Sequence, residues 1–136
     1  MSRSTAFVAA FTLLTVAEAF LLPPLPQPLE YHDFADQRGV LGIDNFLDVV
    51  SNVAFLAAGL AGLFVVFSGR ACFEFPAERW PYAVFFLGVL LTAAGSAWYH
   101  LSPDNETLFW DRLPMTIAFM GLVSSQVVER ISVRAG

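Results

Sequence analysis

The sequence predicts an all-α protein, a polytopic transmembrane helix bundle of four spans, and three observations carry that expectation. Of its 136 residues 57% are hydrophobic and only 14% are charged, whereas about a quarter of a soluble domain is charged. The chain holds 14 Phe and no Lys. Its apolar residues fall into four runs, at residues 5–22, 45–68, 81–102 and 111–130, each close to the ~20 residues that cross a bilayer core. Residues 1–136 therefore read as a single transmembrane domain. A net charge of -5 with no basic stripe argues against nucleic acid. The lone Cys72 excludes an intramolecular disulfide framework and a Cys-based zinc site.

The first run, Thr5 to Leu22, follows a short head carrying Arg3. Ala17-Glu18-Ala19 has the small-x-small pattern of a signal-peptidase site, so cleavage of residues 1–19 is one reading. The retained helix is favoured, because the apolar run continues to Leu22 and stops only at Pro23-Pro24. The prolines from Pro23 to Pro28 predict extended, stiff chain. An acidic loop fills the remainder of residues 23–44, with Glu30, Asp33, Asp36 and Asp44 set against Arg38. Hard oxygen donors at this density suit calcium, although the spacing is not that of an EF-hand.

The second run, residues 45–68, carries Asn45, Asp48 and Asn52 at i, i+3 and i+7, with Ser51 beside them. Polar groups in lipid must find partners within the bundle, so this face is expected to point inward as a structural polar face. Ala57-Ala58-Gly59 and Ala61-Gly62 permit close helix approach. From Trp80 to Pro103 no residue is formally charged. Pro81 suits the start of that helix, and Trp98 with Tyr99 suits an aromatic belt near its far end. The last helix is expected to open at Asp111 as N-cap, with Pro114 in its first turn and residues 103–110 as a tight connection. Asn105-Glu106-Thr107 matches a glycosylation sequon, a pattern too frequent to weigh.

Candidate chemistry gathers in residues 96–111. Ser96 and His100 stand four apart, one turn apart on one helix face. An ionisable residue at membrane depth is costly and so points to function. An imidazole offers a zinc-binding nitrogen, a carboxylate such as Asp111 can orient or deprotonate, and a hydroxyl can donate to a developing oxyanion. The bland alternative is a buried imidazole and hydroxyl that only hold helices together, with Asp111 as a cap. Convergence of these residues, the Asn45/Asp48/Asn52 face and the acidic loop on one end of the bundle favours the functional reading.

The same residues carry a family resemblance. Tyr31-His32-Asp33-Phe34-Ala35-Asp36-Gln37-Arg38, Gly42-Ile43-Asp44-Asn45-Phe46, Val50-Ser51-Asn52, Ser96-Ala97-Trp98-Tyr99-His100 and Trp110-Asp111-Arg112-Leu113-Pro114-Met115 resemble, in that order, the bacterial members of the alkaline ceramidase family. That family lies within a superfamily of seven-helix membrane hydrolases that includes the adiponectin receptors. The resemblance implies a zinc-dependent amidohydrolase cleaving the amide of ceramide-like lipids, with membrane lipids and a lipid amide as its partners. It implies His100 as a zinc ligand, Ser96 as oxyanion donor and Asp111 as the group assisting the metal-bound water. It also implies calcium in the loop, with Asp33, Asp36 and Asn45 as nearest counterparts.

One part of the family pattern is missing. The family completes its zinc site with His-x-x-x-His on its final helix, whereas His32 and His100 are the only histidines here. The resemblance thus spans the N-terminal half of a family member: one leading helix plus the family's first three. The expectation is a fragment whose remaining helices are elsewhere, or a short form that serves as a non-catalytic lipid-binding or partner subunit. Arg3, Arg70, Arg79, Arg130 and Arg134 fall on one side of four spans, with Arg38 and Arg112 on the other. This predicts an integral protein of the bacterial inner membrane with both termini in the cytoplasm.

Overall fold

The computed structural model describes residues 3–23 and 25–135, except for the side chain of Ala19. Pro24 of the proline run, and Ala19 of the small-x-small pattern as regards its side chain, lie outside that description. Every regular element is helical: α1 (Arg3–Leu21), α2 (Phe46–Ser51), α3 (Val53–Phe67), α4 (Arg79–Leu101) and α5 (Asn105–Arg130), with single 3-10 turns at Leu29–His32 and Pro76–Glu78. Two stretches among the described residues, Phe46–Phe67 and Pro76–Leu101, are long and apolar enough to cross a membrane.

Helix α1 is exposed along almost its whole length and packs against no other element. The chain leaves it in extended form, with Pro28 at φ -64° and ψ 158°, as a polyproline segment should. The other helices form an open V. Helices α3 and α5 each pack against α4 and not against each other. Glycines make the contacts close. A Cβ on Gly59 would lie 2.7 Å from the Leu90 backbone, and one on Gly88 would lie 2.5 Å from the backbone nitrogen of Ala118. Polar groups on these helices are met locally: Thr92 Oγ1 donates to Gly88 O (2.8 Å) and Ser125 Oγ to Leu122 O (2.8 Å).

The second apolar run is not one continuous helix as expected. It breaks at Asn52, between α2 and α3. The Asn52 side-chain amide donates to Asp48 O (2.8 Å), the carbonyl that its own backbone N–H would take in an unbroken helix. That N–H turns instead to Val49 O (3.3 Å), one residue nearer, which tightens the turn. Asn45 lies outside the helix in the left-handed region, at φ 49° and ψ 44°. The polar face is turned inward at Asn52, which is buried, and partly so at Asp48, while Ser51 is exposed and donates to Asp48 O.

The last helix also begins earlier than expected. Asp104, not Asp111, is its N-cap: Asp104 Oδ1 accepts the Thr107 N–H (2.7 Å), and Thr107 Oγ1 accepts the Asp104 N–H (3.1 Å). This reciprocal pair satisfies two of the N–H groups a helix start leaves open. The bond from Thr107 holds the Asp104 carboxyl below its ordinary pKa. Asp111 and Pro114 consequently sit inside the helix. Tyr99, expected in an aromatic belt with Trp98, is buried. Neighbours on a helix point about 100° apart, so the two cannot share a lipid-facing role. Trp98 is half-exposed and stacks on Trp110 with centroids 6.1 Å apart.

Candidate functional site

The site lies where the last turns of α4 meet the second turn of α5, beneath the acidic loop. Pro114 has no N–H to return to the carbonyl of Trp110, four residues earlier. Gly95 fills the space beside that carbonyl: a Cβ there would lie 2.1 Å from Trp110 O and 3.5 Å from Asp111 Cα. The backbones therefore meet at the level of Ser96 and Asp111. Both residues are buried. His100 stands one turn further along α4, half-buried.

The loop closes over this end through side chains that the sequence reading did not assign. The 3-10 turn carries His32 inward, where its Nδ1 is 2.9 Å from the Tyr99 hydroxyl. The Phe34 ring packs on Tyr99 (5.3 Å) and on His100 (4.6 Å). Arg112 Nη2 donates to the Tyr31 hydroxyl (2.9 Å). Gln27 and Asn105 exchange a pair of bonds, Gln27 N to Asn105 Oδ1 (2.7 Å) and Asn105 Nδ2 to Gln27 O (3.0 Å). The available signal was the crowding of Tyr31, His32 and Phe34 in an otherwise acidic loop, since aromatic rings gain most by burial.

The residues proposed for calcium are engaged in holding the loop. Asp36 accepts from Arg38 Nε and, at 2.9 Å, from the backbone N–H of Leu47 in the first turn of α2. The Arg38 bond, followed by the Leu47 bond, holds its carboxyl below the ordinary range. Asp36 thereby caps α2 from a distance, a role Asn45 does not take with its own side chain. Asn45 Nδ2 instead donates to His100 O (2.8 Å), one of the carbonyls left open at the end of α4. Asp33 is exposed and accepts from Gln37 (2.7 Å). Asp36, with a guanidinium on it, and Asn45 thus serve as internal caps, and Asp33 is bonded to Gln37 within the loop.

Among the described residues, three buried polar side-chain atoms are without hydrogen-bond partners: His32 Nε2, His100 Nδ1 and Asp111 Oδ1. Such orphans are rare and ask for an explanation. His100 Nδ1 fits one bond to a zinc ion. A catalytic zinc takes three protein ligands, and among the described residues no group of three His, Cys, Asp or Glu is placed to hold a metal. The residues present therefore do not make a zinc site by themselves. What they provide is a buried hydroxyl at Ser96 and two buried, unpartnered polar atoms, on His100 and Asp111, toward the same end of α4 and α5. Comparison with protein-family models, curated proteins and solved structures returns no match.

Proposed function

We propose that this chain is part of a membrane-embedded amidohydrolase acting on lipid amides, and that Ser96, His100 and Asp111 are its contribution to the reaction. The observation that carries the reading is the pair of buried, unpartnered atoms, His100 Nδ1 and Asp111 Oδ1, at the end of the bundle where Ser96 is buried. Leaving such groups unpaired costs about 1–3 kcal/mol each, a cost that a bound substrate or ligand would offset. Residues 31 to about 130 resemble the alkaline ceramidases, which gives the reading its substrate class.

In this proposal Ser96 donates to the oxyanion of the tetrahedral intermediate, and Asp111 takes the proton of the attacking water. His100 supplies one ligand nitrogen, and the further zinc ligands the family uses would come from outside this chain. Zinc, when bound, would polarise the amide carbonyl and acidify water. The chain spans the inner membrane four times in this reading. Arg70, Arg79 and Arg130, at one end of α3, α4 and α5, face the cytoplasm, and the acidic loop lies opposite. The second reading is a non-catalytic lipid-binding or partner subunit, favoured by the lack, among the described residues, of three metal-ligating side chains placed together.

The experiment is hydrolysis of a long-chain ceramide by the protein as its host makes it, with metal content measured on the same preparation. His100→Ala should lower bound zinc and abolish hydrolysis, and Asp111→Asn should abolish hydrolysis while retaining zinc. Full activity in His100→Ala would sink the assignment. Absence of both zinc and hydrolysis in the unmodified protein would give the lead to the non-catalytic subunit.

A further inference from the structure

Between the loop and the connection from α4 to α5 lies a cavity of about 340 Å³, lined by Leu29, His32, Asp33, Pro103, Asp104 and Asn105 and by none of Ser96, His100 and Asp111. His32 is its buried wall, only 9% exposed. The Tyr99 hydroxyl takes up Nδ1 of that ring and fixes it against α4, so the buried, unpartnered Nε2 is the nitrogen the ring has left to offer. Two carboxylates share the cavity with it. Asp33 ends the 3-10 turn and Asp104 caps α5, and the imidazole stands near enough to Asp104 to act on its charge. Asp33 Oδ1 is bonded to Gln37 and Asp104 Oδ1 to Thr107. An ionised carboxyl has about four acceptor positions, so both keep capacity for a ligand. No arginine is among the lining residues.

We propose that this cavity binds a primary ammonium group, as in the ethanolamine headgroup of a phospholipid, through His32 Nε2 and the carboxylates of Asp33 and Asp104. This binding is independent of the amidohydrolase reading above. Charge selects a cation, because two carboxylates with no arginine beside them repel a phosphate or a carboxylate. Geometry selects an ammonium over a metal. Among the described residues no three His, Cys, Asp or Glu converge closely enough to hold a metal ion, whose ligands must come within about 2.0–2.6 Å. The three N–H groups of an ammonium reach separate acceptors at about 2.7–2.9 Å, so those acceptors can stand further apart. An ammonium donates, and Nε2 therefore presents its lone pair, with the ring proton on Nδ1 and given to the Tyr99 oxygen. Leu29 and Pro103 supply apolar wall for the methylenes beside the nitrogen. Position points to a lipid as the source. The cavity lies just beyond the end of Pro76–Leu101, a stretch long and apolar enough to cross a membrane, which in the membrane reading is headgroup level.

The test is nuclear magnetic resonance of the full chain in phosphatidylcholine nanodiscs, isotope-labelled at its histidine nitrogens. Phosphatidylethanolamine added to the discs should move the His32 Nε2 resonance and leave those of His100, the other histidine, in place. Further phosphatidylcholine, whose trimethylammonium has no N–H to donate, should move neither. Asp33→Asn, at an exposed side chain, should raise the phosphatidylethanolamine needed for half the shift about tenfold, the loss expected for a hydrogen bond to a charged group. Glu30→Gln removes the same charge from the same loop outside the cavity and should change nothing. Equal shifts with both lipids, an undiminished response in a folded Asp33→Asn protein, or an equal loss in Glu30→Gln would overturn the proposal. So would a shift of His32 Nε2 by magnesium or calcium chloride that blocks the lipid's effect, which would put a metal there. Free ethanolamine acting as strongly as the lipid would uphold the ammonium site and overturn the lipid source.

Discussion

Gly95 lies against the carbonyl of Trp110, the one carbonyl in that part of α5 that Pro114 leaves without its usual helical donor. A Cα–H facing a free carbonyl is a weak attraction, while any side chain at residue 95 would collide with backbone that cannot rotate away. Gly95→Ala should therefore destabilise the bundle by about 1–3 kcal/mol, the usual cost of overpacking. Denaturant unfolding in detergent would measure it. An unchanged midpoint would mean that α4 and α5 do not meet at this level.

Stability should also fall in acid. Asp36 and Asp104 both have carboxyls held below the ordinary range, by Arg38 and by Thr107 respectively. A depressed folded pKa contributes stability above the unfolded value of about 3.9, and that contribution is lost as pH falls through the folded pKa. Thermal unfolding between about pH 6 and about pH 3 should thus show a progressive loss. The double variant Asp36→Asn, Asp104→Asn should be less stable at the upper pH and show a flatter profile. Parallel profiles for both proteins would refute the two capping roles.

Asn52 is predicted to be structural. Its amide satisfies Asp48 O, and its side chain is buried. Asn52→Ala should cost about 1 kcal/mol and raise amide exchange at the junction of α2 and α3. Loss of ligand binding or catalysis at unchanged stability would instead make this face part of the chemistry.

His32 and Tyr99 should prove coupled. Each is buried, and their shared bond ties the loop to α4. A double-mutant cycle with His32→Ala and Tyr99→Phe should return a coupling energy of about 1 kcal/mol. Strict additivity would show that the loop is held by its other contacts, Phe34 and the Arg112–Tyr31 bond among them, and not by this one.

The approximate positions of the helices were legible because the apolar runs are long, and the placing of Ser96 and His100 one turn apart because helical periodicity carries along α4. Their exact ends were not. The break at Asn52 depends on a side-chain amide displacing a backbone N–H, a competition that residue type alone does not decide. The start of α5 was hidden because Asp104 and Asp111 are both acceptable caps, and only Thr107, through its reciprocal bond, selects the first. The loop was read by its charges, whereas what seats it is aromatic: Tyr31, His32 and Phe34 meeting Arg112, Tyr99 and His100.

Since α3 and α5 lean on α4 from two sides without touching, the molecule behaves energetically as two helix pairs sharing a member. Substitutions on α3 and on α5 have no common neighbour except through α4, so their effects should sum. Those on α4 are felt twice. The helix that carries Ser96 and His100 is for that reason the least free to vary, quite apart from anything it does to a substrate.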